Sequence, residues 1–370
     1  FQRWYSQAGT PEVHVAWEAD RATNSLAMTV RQRTPATPDP GGDEKLPVCL
    51  PVAVGLVDQK TGRDVEDLRV FRKGPNGERV PVPLLAGPAR TTAVLVCTDD
   101  ATTFHFEGLP AHGVVPSVLR DFSAPVRLST PQIGAPELAF LLANDSDSFN
   151  RAEAASRLMT LMIEKSYADV GEGDDLGRLP SWDVEAAGFQ PAIEGMRAIL
   201  NDADLDAAFR ALVLEPPSAG EIVDMMDGAV DPLRVHHARA RVVHAIADAL
   251  APDLLRAYEQ TNASGEAYMW TPAAAGARSL ASRCIRFLVA QTDSDGRARA
   301  LELAEAQFQH ATNMSDSYSA LGAMNSTAGG ARDRCMRAFL DRWGGDNNVV
   351  VKYFMLESAT DVEGNAARLR

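Results

Sequence analysis

The sequence predicts a multidomain protein in which an immunoglobulin-like antiparallel β-sandwich is followed by an α-helical array. Three observations predict this division. Fifteen of the 22 prolines lie in residues 1–136, and short runs of alternating apolar residues occupy the same part of the chain. Beyond residue 136 the apolar residues recur every three or four positions. We therefore place the sandwich domain at residues 1–130 and the helical domain at residues 136–370, linked by Ser129–Ala135.

Six runs in the first part have the alternating or β-branched composition of strands. In the run from Leu26 to Gln32, apolar and polar residues alternate with the period of two that a half-buried strand requires. The six runs are Val13–Trp17, Leu26–Gln32, Val48–Val57, Ala93–Cys97, Thr103–Glu107 and Ser117–Leu128. Turn residues such as Thr37–Gly42 separate them. Six or seven strands with no helix between them indicate a sandwich, although the Cys…Trp…Cys spacing of antibody domains is absent from the sequence.

Amphipathic helices are predicted in the second part. Four groups of apolar residues have the spacing that places them on one helix face. They are Ala154, Leu158, Leu161 and Met162; Val242, Ile246, Ala249 and Leu250; Leu280, Cys284, Phe287 and Leu288; and Met336, Phe339, Leu340 and Trp343. Proline and glycine breakers divide the region into eight to ten helices of about 10 to 20 residues. Because no strict repeat is present, we expect an irregular α-solenoid.

Charge and composition exclude several classes of partner. The chain carries 36 basic and 50 acidic residues, a formal net charge of −14, so we expect no nucleic-acid partner and no anionic membrane surface. No apolar run reaches the roughly 18 residues of a membrane span. The four cysteines, Cys49, Cys97, Cys284 and Cys335, form no Cys-x-x-Cys pair. We expect them to be buried free thiols in a reducing compartment, which favours a cytoplasmic location.

The histidines do not have the spacing of a metal site. The sequence contains no His-Glu-x-x-His, which would place two imidazoles one helical turn apart. The densest group is His236, His237 and His244, with Arg234, Arg239 and Arg241 around it. His237 and His244 are seven residues apart, which on a helix is about 10.5 Å along the axis. That distance is too long for both imidazoles to bind one tetrahedral ion. We interpret this group as a solvated basic helix face.

Other candidate motifs also lack an essential residue. Gly322-Ala323-Met324-Asn325 resembles the Gly-Ala-Met-Glu-Asn motif of zinc aminopeptidases, but the glutamate is missing. No Gly-x-Ser-x-Gly or phosphate-loop motif occurs, and Asp174-Asp175 is interpreted as a solvated pair in a loop. The sequence therefore predicts no catalytic residue, no cofactor-binding residue and no metal ligand in this chain.

Short motifs along the chain follow the order of one known family. They are Phe1–Val13 (FQRWYSQAGTPEV), Gln32–Pro38 (QRTPATP), Leu50–Val54 (LPVAV), Val115–Val126 (VPSVLRDFSAPV), Asn144-Asp145 with Phe149, Arg286-Phe287-Leu288, Gln307-Phe308, Asn313–Asp316 (NMSD), and Lys352 with Phe354 and Ala359-Thr360. In this order they resemble the C-terminal portion of bacterial-type aminopeptidase N (alanyl aminopeptidase), a zinc-dependent gluzincin metallopeptidase. The segment Asp64–Arg79 is longer than the family pattern.

The resemblance implies a parent enzyme that removes N-terminal amino acids from short peptides. In that family two His and a Glu hold zinc, and the Glu of His-Glu-x-x-His activates water. Those residues belong to a thermolysin-like domain that would precede Phe1, so zinc is expected in the parent enzyme and none in this chain. The resemblance also implies that the sandwich braces the catalytic domain and that the helical array covers its active-site cleft. The N-terminal and catalytic domains are thus the expected partners.

Other interpretations stay open at this stage. The chain could be a stand-alone binding or scaffold protein derived from that part of the enzyme, or an unrelated enzyme with an unrecognised site. We also expect the helical array to be incomplete at its C-terminus, because no polar capping element follows Ala359. At the other end, we expect Phe1–Tyr5 either to dock poorly on the sandwich or to drive self-association, because Phe1, Trp4 and Tyr5 resemble the tail of a preceding domain.

Overall fold

The chain forms two compact units, Phe1–Leu158 and Met159–Arg370, in a computed structural model. The structure describes residues 2–38, 45–85, 90–171, 181–226, 228–263, 265, 267–327, 329–360, 362 and 364–365. Most of the predicted turn at Thr37–Gly42 and the whole of Asp174-Asp175 lie outside the described residues.

Unit 1 contains a two-sheet β-sandwich, which confirms the predicted class of fold. Its strands are β1 (Glu12–Asp20), β2 (Ser25–Arg33), β3 (Leu50–Asp58), β4 (Arg69–Lys73), β5 (Arg79–Pro81), β6 (Thr92–Cys97), β7 (Ala101–Glu107), β8 (Val114–Val118) and β9 (Arg127–Ser129). One sheet has the order β5-β4-β7-β2-β1-β9 and the other the order β6-β3-β8. Neighbouring strands are antiparallel except β1 and β9, which pair in parallel.

The alternation in the sequence sets which side chains enter the sandwich core. In β2, Leu26, Met28 and Val30 are buried between the sheets, as the period of two predicts. The central strand β3 is buried on both faces: Leu50, Val52, Val54 and Leu56 join the core, whereas the intervening residues lie on the outer face of the small sheet. Because both faces of β3 are buried, its sequence is nearly continuously apolar rather than alternating.

Two parts of the strand prediction were wrong. The segment Asp64–Arg79, to which we assigned no strand, contains β4 and leads into β5. In β4 only Val70 enters the core, while Phe71 stacks on His105 of β7 at 5.1 Å, so a five-residue strand with three charged side chains gave too weak an alternating pattern. The predicted run Ser117–Leu128 is not one strand, because β8 ends at Val118.

A left-handed backbone ends β8. Leu119, Asp121 and Phe122 have φ values of 67°, 54° and 47°, and a short 3-10 helix covers Arg120–Phe122. These conformations cannot continue an extended strand. They turn the Arg120 side chain onto the outer face of the small sheet, where it lies flat over Gly55 of β3. A Cβ atom at Gly55 would lie 2.0 Å from Arg120 Cζ, so this position has room only for glycine.

The Arg120 guanidinium is the centre of a buried ionic network. It donates to Asp64 through two bonds of 2.9 and 2.7 Å, to Asp145 at 3.0 Å and, through Nε, to Ser117 at 2.9 Å. Asn150 Nδ2 donates to the same Ser117 hydroxyl at 2.8 Å. The guanidinium side chain is only 4% exposed. The network joins the VPSVLRDFSAPV motif, the β3–β4 connection and the Asn-Asp motif that follows the sandwich.

The expectation about the N-terminal aromatics was wrong for Trp4. A four-residue helix, α1 (Arg3–Ser6), places Trp4 half-buried against the sandwich core. Its indole Nε1 donates to the Cys49 carbonyl at 3.1 Å. Tyr5, on the other side of α1, is 83% exposed, and Phe1 lies outside the described residues. A tryptophan side chain has an apolar ring and one polar N–H, so the ring can pack against the core while the N–H donates to a backbone carbonyl.

Helices make up the rest of the described chain. They are α2 (Ala135–Asn144), α3 (Ser148–Ala168), α4 (Gln190–Asn201), α5 (Ala207–Val213), α6 (Ala219–Met225), α7 (Pro232–Thr261), α8 (Pro272–Val289), α9 (Ser294–His310), α10 (Met314–Met324), α11 (Gly330–Trp343) and α12 (Asn347–Ser358). These are eleven helices within the described residues, against the eight to ten that we predicted. The number exceeds the prediction because two short helices, α5 and α6, with seven residues each, lie between α4 and α7.

Helix α8 lies at the centre of unit 2. It packs against α5, α7, α9 and α10. Its predicted stripe, Leu280, Cys284, Phe287 and Leu288, is buried throughout. The stripe of α11 was only partly right, because Leu340 is 37% exposed although Met336 and Phe339 are buried. The burial of one side of α8 leaves its opposite side to face open space, and that side carries the candidate site.

Candidate functional site

A row of basic side chains occupies the unburied side of α8. The helix begins at Pro272, after Thr271, whose side-chain oxygen accepts a hydrogen bond from the Ala274 backbone N–H at 3.2 Å. Its polar positions include Arg278, Arg283 and Arg286, five and three residues apart. Because a helix turns every 3.6 residues, this spacing keeps the three guanidiniums along one side of the helix, away from the apolar stripe.

An open cleft of about 670 Å³ lies beside this row, and we call it the α8 cleft. Its walls come from α5, α8, α10 and α12. Four described lining residues are cationic and two are acidic; they are Arg278, Arg283, Arg286 and Lys352, and Glu215 and Asp316. The Lys352 ammonium lies 5.3 Å from the centre of the Tyr318 ring. The cleft therefore combines an excess of positive charge with an aromatic wall, in a chain whose overall charge is negative.

The arginines of α8 are poorly compensated. Glu215 forms an ion pair with Arg283, but burial, together with the neighbouring Arg286, lowers the pKa of Arg283 to about 10. Desolvation by the protein around it likewise lowers the pKa of Arg286, although its side chain keeps access to solvent. Within the described part of the chain, Arg286 forms no ion pair, and the Arg283 Nε is buried without a hydrogen-bond partner. Such groups are the ones whose charge an anionic ligand would stabilise.

Parts of three motifs that carry the resemblance line this cleft. Arg286 belongs to the Arg-Phe-Leu motif, and Ser315 and Asp316 belong to the NMSD motif; all three line the cleft with Lys352. Asn313 caps α10 by accepting from the Asp316 backbone N–H at 3.0 Å. Gln307 donates from Nε2 to the Asp316 carbonyl at 3.1 Å, so the Gln-Phe motif fixes the same turn.

The histidine group is divided by the structure. His236 and His237 lie side by side with ring centres 5.4 Å apart, and His244 is exposed two turns later. The expectation of a solvated basic face was wrong for the arginines. Arg234 donates to the Tyr167 carbonyl at 2.9 Å, and Arg239 donates to the Pro217 carbonyl at 2.7 Å. Guanidiniums can satisfy carbonyls at the ends of neighbouring elements, which the sequence of one helix cannot show.

The motif Gly322-Ala323-Met324-Asn325 has a structural role. Met324 and Asn325 are buried at the end of α10. Asn325 Nδ2 donates to the Leu356 carbonyl at 2.9 Å, and its Oδ1 accepts from the buried Arg332 at 3.2 Å. The motif thus links α10 to α11 and α12.

The donor side chains that the structure describes do not fit a zinc site. In the described ranges no group of three or more His, Cys, Asp or Glu side chains comes close enough to hold a metal ion. Burial raises the pKa of the Cys97 and Cys284 thiols to about 12, so neither is a ready thiolate ligand. All four cysteines are free; three are buried as expected, whereas Cys49 is exposed. None of the described helices combines the length and apolar character of a bilayer span.

Comparison with known proteins agrees with the two-part fold. Residues 9–131 match the family model described as a domain of unknown function (DUF3458) with an Ig-like fold. Residues 135–370 match the model described as a domain of unknown function (DUF3458_C) with ARM repeats. The chain belongs to the DUF3458_C family, whose model matches more than half of its residues. The Ig-like and ARM-repeat descriptions of the two models agree with the sandwich and the helical array that the sequence predicted.

The resemblance to aminopeptidase N is also confirmed. The chain is 31% identical to aminopeptidase N of Escherichia coli (strain K12) over 361 residues, which are 97% of this chain and 37% of that protein. It is 27% identical to aminopeptidase N of Haemophilus influenzae over 97% of this chain and 36% of that protein. For aminopeptidase N of Caulobacter vibrioides the identity is 31%, over 96% of this chain and 36% of that protein. The chain thus spans little more than a third of the length of these relatives.

A solved structure has the same fold. A crystal structure of Legionella pneumophila aminopeptidase A in complex with aspartic acid superposes with a TM-score of 0.74 at 20% identity. The superposition covers 100% of this chain and 38% of that one.

Proposed function

We propose that the chain is the non-catalytic C-terminal part of a zinc aminopeptidase that removes N-terminal amino acids from peptides. In this proposal the sandwich braces a thermolysin-like catalytic domain elsewhere in the polypeptide, and the helical array covers the active-site cleft. One observation carries the proposal: the chain is similar to aminopeptidase N over 96–97% of its own length but spans only 36–37% of those proteins.

The proposal assigns the zinc chemistry to the part of the enzyme outside this chain. The donor set described above does not fit zinc, so we route no catalytic step through these residues. We also propose the domain bounds 1–130 and 136–370, which agree with the extents of the two family models. A cytoplasmic location is proposed as well, and four free cysteines are compatible with a reducing compartment.

The α8 cleft has an excess of positive charge, which suits the C-terminal carboxylate of a peptide substrate. A peptide whose amine is held at a catalytic centre presents its carboxylate at the opposite end. Guanidiniums bind carboxylates through paired N–H groups, and ammonium groups bind them as point charges. We therefore propose that Arg278 and Lys352, on two walls of the cleft, attract the substrate carboxylate.

The first test separates this proposal from the stand-alone scaffold. Purified residues 1–370 should not hydrolyse alanyl or arginyl chromogenic amides when zinc is added. The reading frame upstream of Phe1 should encode a stretch with His-Glu-x-x-His. Chelator-sensitive turnover by the chain alone would contradict the proposal, and an upstream frame without a catalytic domain would favour the scaffold.

The second test addresses the cleft in the complete enzyme. We expect Lys352→Gln to raise KM for a tripeptide about two- to fivefold, the scale of one solvent-accessible charge contact. The same variant should leave KM unchanged for an alanyl amide that has no carboxylate. Arg337→Gln, at an exposed position on α11 away from the lining residues, is the matched control. Equal changes with both substrates would remove the carboxylate-binding role while leaving the peptidase assignment intact.

A further inference from the structure

A second cavity of about 290 Å³ lies on the other side of the α8 arginine row, and we call it the arginine cavity. Helices α7, α8, α9 and α10 enclose it within unit 2. Each of the first three contributes guanidiniums: Arg239 from α7, Arg283 and Arg286 from α8, and Arg297 from α9. The Arg283 and Arg286 side chains separate this cavity from the α8 cleft, since they line both.

The charge of the arginine cavity is one-sided. No Asp or Glu occurs among the described residues that line it, whereas four arginines and two histidines, His236 and His244, do. Carboxylates outside the lining compensate part of this charge. Glu215 pairs with Arg283, and the charges of Glu221 and Asp248 act on Arg239 and His244. Desolvation by the surrounding protein lowers the pKa of Arg239, Arg283, Arg286 and His244, although the Arg286 and His244 side chains keep access to solvent. The charge of Arg297 lowers the pKa of His244 further. Arg286 and Arg297 form no ion pair with the described residues, so the cavity keeps an excess of positive charge that an anion would offset.

The geometry points to a binding site for a tetrahedral dianion of the phosphate class, and we propose this as a function separate from peptide hydrolysis. Guanidiniums approach from three helices, so their N–H groups come from several directions rather than from one plane. A tetrahedral oxyanion accepts hydrogen bonds in several directions, while a carboxylate is planar and carries one charge. Thr327 contributes a polar side chain to the lining of the cavity, and Gly322, near the end of α10, contributes a position without a side chain. The volume suits an inorganic phosphate or the head of a small phosphomonoester.

The test measures anion binding to the full 370-residue chain by calorimetry and by thermal shift. The probes are inorganic phosphate, a simple phosphomonoester and acetate, each compared with sodium chloride at matched ionic strength. We expect saturable binding of phosphate or phosphomonoester, with a rise in Tm beyond the chloride control. A phosphomonoester that binds more tightly than phosphate indicates an organic ligand, and equal affinities indicate free phosphate. Acetate should not bind saturably.

Two arginines on α9 make a matched pair for the variant test. Arg297 lines the cavity, whereas Arg299 is exposed on the same helix and does not. Because both side chains are exposed on the helix surface, neither substitution should prevent folding. Arg297→Gln should weaken dianion binding about tenfold, the scale of one charge-assisted hydrogen bond, and Arg299→Gln should leave it unchanged.

Three results would overturn the proposal: no saturable binding above the chloride control, acetate binding as tightly as phosphate, or equal losses in the two variants. The last would show a general electrostatic effect rather than a site. Each result is independent of the upstream reading frame and of the substrate-dependent KM test, so failure here leaves the proposed peptidase role unaffected.

Discussion

Two regions of the molecule contain clustered arginines, and they differ in whether carboxylates neutralise the positive charge. On the sandwich, Arg120 is enclosed with two carboxylates and two hydroxyl groups as partners. Along α8, Arg286 faces two cavities and forms no ion pair with the described residues. The first region uses an arginine to join chain segments, whereas the second leaves guanidiniums available.

The pKa directions follow this difference. Burial alone would lower the pKa of Arg120, but hydrogen bonds and charges from Asp64 and Asp145 raise it above its ordinary value. Arg286 keeps access to solvent, but desolvation by the protein around it lowers its pKa, because no carboxylate among the described residues offsets that effect. Burial of a cation therefore does not identify a functional site by itself. The informative observation is burial without compensation, because a structural ion network satisfies its own charges.

The largest expected effect is the loss of the Arg120 network. Arg120→Met should lower the free energy of unfolding by about 3–5 kcal/mol, because it leaves Asp64 and Asp145 buried without their counter-charge. The measurement is urea unfolding of unit 1 followed by the fluorescence of its tryptophans. Arg127→Met, at an exposed position on β9, is the matched control and should change the free energy by less than about 0.5 kcal/mol. Similar effects in the two variants would show that the network does not stabilise the sandwich.

Acid should weaken the same network. Burial tends to raise the pKa of Asp64, but hydrogen bonds from Arg120 and Ser146 and the Arg120 charge lower it in the folded state. A depressed folded pKa contributes stability above the unfolded value of about 3.9, and that contribution is lost as pH falls through the folded pKa.

We therefore expect the wild-type chain to lose more stability between pH 5 and pH 3 than Asp64→Asn does, measured by urea unfolding at each pH. Other aspartates with lowered pKa, such as Asp58 and Asp253, titrate in both proteins, so the difference isolates Asp64. Parallel pH profiles would contradict the assignment of the stabilising charge to Asp64.

The smallest expected effect is on α8. Arg286→Met should change the free energy of unfolding by no more than about 0.5 kcal/mol, or raise it slightly, because it removes a cation that lacks a counter-charge. Differential scanning calorimetry at low anion concentration measures this directly. A loss as large as that of Arg120→Met would mean that Arg286 is structural, and the contrast between the two regions would fail.

The sequence was sufficient where one element carries its own pattern. The alternation in β2 and the stripe of α8 follow from the local period of apolar residues, and the structure buries the residues that the pattern selects. The sequence was insufficient where contacts with a distant segment of the chain determine the local structure. The strand β4 pairs with β7, and the left-handed backbone after Val118 places Arg120 against Asp64, which lies 56 residues earlier in the chain.

The candidate site was missed for the same reason. In the sequence, the histidines and arginines of α7 indicate one basic helix face, and Arg286 belongs only to a family motif. The arginines of α7, α8 and α9 are as far apart as Arg239 and Arg297, and no period within one helix links them. A signal was nevertheless present, since α8 carries three arginines on its polar side in a strongly acidic chain.

The sequence by itself determined the two classes of structure, the apolar faces of the main strands and helices, and the resemblance to aminopeptidase N. Those features depend on neighbours within one or two helical turns or strand residues, and on motifs read in order. Only the tertiary structure decided which charges are compensated. Coulomb interactions and desolvation depend on distance and burial, and both are set by segments that meet in space after folding. Arg120 and Arg286 are the same residue type, and their surroundings give one a structural role and the other an exposed charge.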